Sequence, residues 1–452
     1  MIGLVDGNNL GWRFLFSGDR SVGYAVKVLL DLVSKFSLDN LIVVWDGGID
    51  TRRTIFGDYK LGRDLDVETK EKLLDFISSL KNILGFCGFV QCYVDGNEAD
   101  DVIYNLISKV FVDEDILICS NDKDFYSLLS NRVKIWNWDE LLSDKWFLNE
   151  YGIAPADWLK VRSLSGDHSD NIPGVSGIGI KKALDIVKSG KYDEYTSRDD
   201  VKLYFKLLNF LDIDLDLLEK SLIVKEFNRF KIMQLFEFCK IDYSYYTSLL
   251  NFCRKSRVRS LKLSYFLSGI ENCKKCDLSK YANNVVSYKG DLSSNILVIG
   301  EAPGEEEDLA GVPFVGRAGS ILDGWLEKIG LKVGDEYRCI ISNTVWCRPV
   351  KNGKNCPPST KQIEVCSKNG ISRLINYFLP EVIICLGKIA SDFVLSRKDV
   401  NVVRESGKFG IVNGFGFDFS AWVLPHPASL LYGNSYGRLI EDLLERIKKE
   451  IK

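Results

Sequence analysis

Short apolar runs that end on a carboxylate or another polar residue recur along this chain in two separate sets. In the first set, runs 2–5, 41–45 and 116–119 lead to Asp6, to Asp46, and through Ser120 and Asn121 to Asp122 and Asp124. In the second set, runs 296–299, 339–342, 382–386 and 422–425 lead to Gly300 with Glu301, to Asn343, to Gly387 and to His426. Such runs are typical of buried parallel strands, and sites of open parallel sheets lie at the carboxyl ends of their strands. The sequence therefore predicts an α/β fold with two separate active sites.

Length and composition favour a folded protein of two or three domains. The chain has 452 residues, of which 46% are hydrophobic and 12% aromatic, enough for packed cores. No apolar run approaches the roughly 20 residues needed to span a bilayer, and Met1 leads directly into a strand-like run rather than a signal sequence. We expect a soluble, cytoplasmic monomer with no membrane partner.

The domain boundary is predicted at a basic stretch. Residues 1–253 are expected to form a first domain, with residues 1–165 catalytic and 166–253 mostly helical, and residues 270–452 to form a second. The formal net charge is only -3, but it hides local fields. Residues 254–289 contain nine basic and two acidic side chains, and the part 254–269 is predicted to be a basic linker. A solvated tether and a phosphate-binding surface explain this run about equally well.

The first half contains an array of acidic residues that is unusual as a set. Its nine members are Asp6, Asp46, Glu98, Asp100, Asp101, Asp122, Asp124, Asp167 and Asp170. An isolated aspartate is more often a helix cap or turn residue. Nine carboxylates at one sheet edge would repel one another unless cations neutralised them, and Mg²⁺ or Mn²⁺ prefers oxygen ligands. The set indicates a two-metal site of the kind that hydrolyses phosphodiesters.

A glycine-rich turn follows the last of these carboxylates. Residues 171–183 read Asn-Ile-Pro-Gly-Val-Ser-Gly-Ile-Gly-Ile-Lys-Lys-Ala and lead into a predicted helix. The turn leaves backbone N–H groups free to hold a phosphate without reading bases. The candidate groups for duplex binding are Gly174, Gly177, Gly179, Lys181 and Lys182.

Residues 1 to about 253 resemble the 5'-nuclease family, which includes flap endonucleases and the 5'-3' exonuclease domain of DNA polymerase I. The matching motifs are 6–9 (DGNN), 45–47 (WDG), 98–101 (EADD), 120–125 (SNDKDF) and 166–174 (GDHSDNIPG). The resemblance implies a PIN-like α/β fold, two or three divalent ions on the nine carboxylates, and a helix-hairpin-helix clamp on DNA. It also implies that Arg52, Arg53 and Tyr59 bind substrate, with Lys60 and Arg63 stabilising charge at the scissile phosphate.

The twelve cysteines divide into core candidates and ligand candidates. Without a secretory signal they argue against a disulfide framework. Cys273 and Cys276 form a CxxC pair that needs two further ligands, and Cys347, Cys356 and Cys366 are available. Four thiolates bind either zinc or an iron-sulfur cluster, and the spacing alone does not decide.

Residues 270 to about 449 resemble the family 4 uracil-DNA glycosylases. The matching motifs are 300–308 (GEAPGEEED), 311–319 (GVPFVGRAG), 343–349 (NTVWCRP) and 426–429 (HPAS). The resemblance implies a three-layer α/β/α domain with a parallel sheet. It also implies a structural [4Fe-4S] cluster held by Cys273, Cys276, Cys347 and Cys366, with no counterpart for Cys356.

A glycosylase must extrude uracil, clamp it, and stabilise the leaving base. Phe314 is suited to stack on the base, Asn343 to pair with the uracil edge, and His426 to donate to the developing oxyanion. Glu301 or Glu307 is expected to orient water or the loop. The remaining predicted substrate contacts are Gly300, Ala302, Pro303, Gly304 and Ser429. Ala302 stands where family 1 enzymes have an aspartate, and Ala428 where family 4 commonly has a serine.

The sequence thus predicts a fused DNA-processing enzyme with nuclease and glycosylase activities. It would act on 5' flaps or ends and on uracil-containing DNA, alongside a polymerase, a ligase or an enzyme that nicks abasic sites. Two alternatives remain: one domain is a non-catalytic DNA-targeting module, or the fusion degrades uracil-containing DNA instead of repairing it.

Overall fold

The computed structural model describes residues 1–16, 22–60, 66–432 and 436–451. These residues divide into two compact units, the first comprising residues 1–225 and 233–249 and the second 226–232 and 250–452. The strands are β1 (Ile2–Asp6), β2 (Asn40–Val44), β3 (Val90–Cys92), β4 (Ile116–Cys119), β5 (Val133–Trp136), β6 (Leu141–Leu142), β7 (Leu222–Ile223), β8 (Tyr288–Gly290), β9 (Ile296–Gly300), β10 (Lys332–Val333), β11 (Glu336–Tyr337), β12 (Ile340–Asn343), β13 (Val350–Lys351), β14 (Lys354–Asn355), β15 (Val382–Leu386), β16 (Gly407–Gly414) and β17 (Phe417–Leu424). The α-helices are α1 (Gly7–Phe16), α2 (Val22–Phe36), α3 (Asp50–Ile55), α4 (Val67–Phe86), α5 (Ala99–Asn105), α6 (Asp144–Tyr151), α7 (Trp158–Ser165), α8 (Ile180–Lys188), α9 (Asp199–Leu208), α10 (Leu215–Ser221), α11 (Arg229–Cys239), α12 (Ser244–Arg254), α13 (Arg257–Gly269), α14 (Glu305–Ala310), α15 (Arg317–Ile329), α16 (Thr360–Asn369), α17 (Ile371–Phe378), α18 (Lys388–Val394) and α19 (Gly437–Glu450).

The first unit is built on a seven-stranded sheet of order β6-β5-β4-β1-β2-β3-β7. The five central strands are parallel, and β6 and β7 are antiparallel edge strands. From β1 the chain moves outward through β2 and β3, and then returns to place β4 on the other side of β1. Such a reversal opens a crevice at the carboxyl ends of the strands, where open α/β sheets bind ligands.

The second unit is also built on a mainly parallel sheet, which has six strands in the order β16-β17-β15-β9-β12-β8. Strands β17, β15, β9 and β12 are parallel, while β16 and β8 are antiparallel edges. The chain passes from β9 to β12 on one side and to β15 on the other, so β9 borders the crevice. Both sheets confirm the predicted α/β class with mainly parallel strands.

Local sequence explains where several helices begin. The long helix α4 starts after Asp66, whose Oδ1 accepts the Thr69 N–H at 2.9 Å. Helix α16 starts after Ser359, which forms a capping box with Gln362. In both cases a side-chain oxygen satisfies a backbone donor that the first helical turn leaves unpaired.

Residues 254–269 differ from the predicted linker because most of them form helix α13. Ser256 caps this helix by accepting the Arg259 N–H at 3.4 Å. Val258 and Leu263 are buried, and the Arg259 side chain is only 1% exposed. Apolar residues interleaved with the cations make this stretch part of the second unit rather than a free tether. None of the described helices is both long enough and apolar enough to cross a membrane.

Candidate functional sites

The strand-end carboxylates of the first unit meet at the predicted crevice. Asp6 ends β1 and accepts the Asn9 N–H at 3.0 Å and the Ser120 hydroxyl at 3.0 Å. Asp46 follows β2 and accepts the Ala99 N–H at 2.8 Å, which ties it to the start of α5. Asp122 follows β4 and raises the pKa of Asp6 through its charge. These three groups therefore belong to one electrostatic cluster, as the sequence predicts.

The start of helix α5 contributes a second acidic group, in which the preceding residue Glu98 and the helical residues Asp100 and Asp101 bring carboxylate oxygens within 4.8 Å of one another. Arg52 lies against it with a side chain only 3% exposed. Its guanidinium donates to Glu98 at 2.8 Å and to both oxygens of Asp101 at 2.5 and 2.8 Å. Asp101 also accepts the Leu211 N–H at 2.7 Å.

These contacts change the role that the sequence predicts for Arg52. Arg52 is not a surface cation available to DNA, because it is buried as the counter-ion of the acidic group. Asp101 has both oxygens engaged by Arg52 and one by a backbone donor, and it remains within the acidic group that could hold a metal ion. Arg53, on the same helix, is exposed.

A third acidic group joins Asp124, Asp167 and Asp170, again with oxygens within 4.8 Å. The guanidinium of Arg162 on α7 donates to Asp124 at 3.1 Å and to Asp167. Arg162 belongs to none of the motifs that the sequence shows, so it was not among the predicted site residues. Its position four residues before the GDHSD motif would have placed it one helical turn from the acidic residues.

Tyr59 and Lys60 connect the second and third acidic groups. The buried Tyr59 hydroxyl lies 2.8 Å from Glu98 and 3.1 Å from Asp170. The Lys60 ammonium donates to Glu98 and lies 3.8 Å from Asp170. Tyr59 therefore organises the carboxylates instead of presenting its ring to substrate, whereas Lys60 stays partly exposed beside them. Arg63 lies outside the described residues.

The electrostatics of the array indicate a demand for cations. Burial, Asp46 and Asp122 together raise the pKa of Asp6 to about 7, and burial with Asp122 raises the pKa of Asp124 to about 7. Burial alone would raise the pKa of Glu98, but Lys60 and Arg52 outweigh it and lower that pKa. A donor set made only of oxygens that repel one another fits hard divalent cations.

The glycine-rich turn has the geometry expected for backbone contact. Gly174 and Gly177 adopt positive φ angles of 69° and 75°, and a Cβ at Gly177 or Gly179 would meet no atom within 4 Å. Lys181 and Lys182 are exposed at the start of α8. Open glycines beside two cations at a helix N-terminus leave room for a phosphate.

In the second unit, the predicted base-binding residues converge at the ends of β9 and β12. Asn343 pairs in register with Gly300 and is 2% exposed. A Cβ added to Gly300 would lie 2.6 Å from the Asn343 Oδ1 and 2.5 Å from the Phe314 ring. Glycine is therefore required there to keep the space open. The Asn343 Oδ1 is buried without a hydrogen-bond partner among the described residues.

His426, just beyond β17, faces Phe314 with ring centroids 6.0 Å apart. Its Nδ1 accepts the Ala428 N–H at 3.2 Å. Burial lowers the pKa of His426 to about 4, with Glu307 opposing the shift. The imidazole is therefore neutral near pH 7, and since Nδ1 is an acceptor, its proton is on Nε2.

The two glutamates of the loop have different surroundings. Glu307 accepts the Gly304 N–H at 3.1 Å through one oxygen, and the N–H groups of Val315 and Gly316 at 3.0 and 2.9 Å through the other. Glu307 therefore links the loop at Gly304 to the loop that contains Val315 and Gly316. Within the described residues the Glu301 carboxylate accepts no hydrogen bond, and burial raises its pKa. Glu301 is the freer of the two groups.

The other predicted contacts flank this pocket. Pro303 is buried in the loop, and Ala302 packs against a cluster that includes Cys347. The Ser429 hydroxyl donates to the His426 carbonyl at 2.7 Å. Ser429 thus stabilises the histidine loop and is engaged within the protein.

One pocket is lined by all four predicted cluster cysteines, which are Cys273, Cys276, Cys347 and Cys366. Burial raises the pKa of both Cys347 and Cys366 to about 12, and the neighbouring thiols add to the shift. Cys356 is not among the lining residues. Four thiols around a mainly apolar pocket fit a thiolate-bound metal centre.

Comparisons with known proteins match the two parts of the chain to two different families. The family model for the uracil DNA glycosylase superfamily matches residues 287–448, and that for the 5'-3' exonuclease, N-terminal resolvase-like domain, matches residues 2–152. The type-4 uracil-DNA glycosylase of Archaeoglobus fulgidus is 37% identical over 166 residues, which cover 36% of this chain and 80% of that protein. The thermostable DNA polymerase I of Thermus thermophilus is 33% identical over 198 residues, 41% of this chain but only 23% of that protein. Among solved structures, the T5 D15 protein co-crystallised with metal ions aligns with a TM-score of 0.43 and 20% identity, covering 52% of this chain and 98% of that one.

Proposed function

Since this chain belongs, through its C-terminal half, to the type-4 uracil-DNA glycosylases and matches the 5'-3' exonuclease family at its N-terminus, we propose that it removes uracil from DNA and also cuts DNA from 5' ends or flaps. The observation that carries the first activity is the buried Asn343 Oδ1, which has no partner among the described residues. The observation that carries the second is the acidic array at the carboxyl ends of β1, β2 and β4.

The Asn343 amide is suited to distinguish uracil from cytosine. Its Oδ1 accepts from the uracil N3–H, and its amide NH₂ donates to the uracil O4. Cytosine presents an acceptor at N3 and a donor at N4, so both contacts become mismatched. In a dry pocket each mismatch leaves a buried polar group unpaired, which costs about 1–3 kcal/mol.

Base release requires stabilisation of the negative charge that develops on the leaving uracil. The Nε2–H of neutral His426 is the donor placed for this, because its Nδ1 is already engaged by Ala428. Phe314 stacks on the extruded base. Glu301, with its unengaged carboxylate, orients the water that attacks the sugar, while Glu307 maintains the loop.

In the first unit, the residues that would hold divalent ions are Asp6, Asp46, Glu98, Asp100, Asp101, Asp122, Asp124, Asp167 and Asp170. Such ions would activate water and neutralise the phosphodiester. Lys60 stays beside the array to stabilise charge on the scissile phosphate, and we assign Arg63 the same task. Exposed Arg53 and the glycine-rich turn with Lys181 and Lys182 hold the DNA backbone.

We further propose a structural [4Fe-4S] cluster on Cys273, Cys276, Cys347 and Cys366, supported by the four-thiol pocket and the family membership. Hydrolysis of a glycosidic bond moves no electrons, so the cluster contributes to folding and not to the reaction. We assign residues 1–225 and 233–249 to the first domain, and residues 226–232 and 250–452 to the second. A monomer acting in the cytoplasm would work with a polymerase, a ligase or an abasic-site nicking enzyme.

A uracil-containing 5' flap tests both activities of the intact chain at once. With Mg²⁺, both base release and cutting are expected; with EDTA, cutting stops and base release continues, because only the first site needs a divalent ion. Asn343→Ala should abolish release and leave cutting intact. Absence of uracil release by the wild-type chain would contradict the glycosylase assignment, and cutting in EDTA would contradict the metal site. Comparing flaps with and without uracil shows whether the activities are coupled.

A further inference from the structure

Phe314 has an unusual backbone that something must hold in place. Its φ angle is +54°, in the left-handed region that residues with a side chain rarely adopt. The conformation places its ring against Gly300 and opposite His426, where the flipped base is proposed to bind. A small rotation of this peptide would move the ring out of the pocket.

The Phe314 carbonyl is held by Lys289. The ammonium of Lys289, on edge strand β8, lies 3.0 Å from that carbonyl oxygen and 3.0 Å from the Tyr337 hydroxyl. Behind the carbonyl, a Cβ on Gly319 would lie 2.1 Å from the same oxygen, so helix α15 packs directly against it. The peptide is therefore fixed between a cation on one side and a helix backbone on the other.

The cation itself belongs to a closed network. The Tyr337 hydroxyl donates to Asp323, with the two oxygens at 2.9 and 3.0 Å, and Asp323 lies 3.9 Å from the Lys289 ammonium. The Lys289 ammonium also sits 4.5 Å from the centre of the Tyr337 ring, and the side chain is only 12% exposed. A nearly buried lysine with a carboxylate, a hydroxyl and a carbonyl around it has little freedom to move.

We infer that Lys289 is a positioning residue for base recognition, which fixes the Phe314 peptide so that the ring presents its face to the extruded base. The inference rests on the proposed glycosylase function. Neither the cysteine pocket nor the carboxylate array takes part. Lys289 acts through Phe314 and does not touch the base.

The test uses the full chain with Lys289→Met and a matched control, Lys332→Met. Lys332 also borders Tyr337 and Asp323 and is equally shielded, but among the described residues its charged group pairs with Glu327 and Asp323 and not with Phe314. Uracil release is measured in single turnover on a single-stranded oligonucleotide, together with binding of the same oligonucleotide without uracil. A displacement of about 1 Å costs up to ~100-fold in rate.

Lys289→Met is expected to lower uracil release by ~10- to 100-fold and to weaken inhibition by free uracil, while binding of uracil-free DNA stays unchanged. Lys289→Arg, which keeps a donor, should recover part of the rate, and Lys332→Met should stay near wild type. The inference is overturned if Lys289→Met matches wild type, or if both methionine variants lose activity equally, which would indicate general damage to the network. If the wild-type chain itself releases no uracil, the proposed function fails instead.

Discussion

Replacing Asn343 by alanine should separate function from stability in the second unit. The side chain is 2% exposed, and its Oδ1 has no partner among the described residues. A buried acceptor without a partner costs about 1–3 kcal/mol of folding free energy. Asn343→Ala removes that cost and opens a small cavity, so the two effects largely cancel. We expect a melting temperature within about 4 °C of wild type, since about 1 kcal/mol moves it by ~2–4 °C in domains of this size.

The same substitution should nearly abolish uracil release. Both polar edges of the bound base then lose their partners in a dry pocket, at about 1–3 kcal/mol each. Because 1.4 kcal/mol corresponds to a factor of ten, the sum of about 2–6 kcal/mol predicts a fall in kcat/KM between ~30-fold and ~2 × 10⁴-fold. The assay is release of labelled uracil from a duplex, with thermal unfolding followed on the same preparations.

Asn376→Ala provides a matched control. Asn376 lies on α17, is 9% exposed, and also has a buried Oδ1 without a partner in the described part of the chain. Its substitution should leave the melting temperature and uracil release both close to wild type. Wild-type release by Asn343→Ala would refute the recognition role. A large loss of its melting temperature would show that the amide is structural.

Three further predictions concern other parts of the chain. Because the pKa of His426 is low, its imidazole stays neutral as the pH falls through 6.5. The single-turnover rate of base release should therefore show no inflection near pH 6.5. A clear inflection there that His426→Gln abolishes would contradict the buried, neutral imidazole. Arg52→Met leaves buried carboxylates without their counter-ion, so it should destabilise the first unit by about 3–5 kcal/mol in denaturant unfolding. Arg53→Met, on the exposed face of the same helix, should weaken DNA binding with little change in stability. After anaerobic purification, the Cys366→Ser variant should lack the iron and the visible absorption of the wild-type protein, whereas the Cys356→Ser variant should retain both. A colourless wild-type protein with stoichiometric zinc would overturn the cluster assignment.

Much of the two sites was predictable because their residues follow strands. Asp6, Asp46 and Asn343 each lie at the carboxyl end of a buried apolar run, and the rules of parallel sheets bring such positions together. The alternation of apolar runs and helical patterns also predicted two mainly parallel sheets. Short local motifs with fixed spacing carried the rest of the family resemblance.

Residues whose role depends on long-range packing were harder to predict. Arg52 looks like a surface cation in sequence, but the fold buries it against Glu98 and Asp101, more than forty positions away. Tyr59 reaches Asp170 across a still longer separation. Helix α13 looked like a linker because its cations mask its apolar residues. In each case the partner comes from another element, and no local pattern encodes it.

The sequence by itself determined that this protein has two α/β units with polar residues at their strand ends, because both follow from periodicity; the base-binding role of the second set rests on the family resemblance. Only the tertiary structure decided which cations neutralise which carboxylates, which glutamate is free, and that Lys289 holds the peptide of Phe314. The physical reason is that buried charges and strained peptides must find partners wherever the fold supplies them, regardless of distance along the chain.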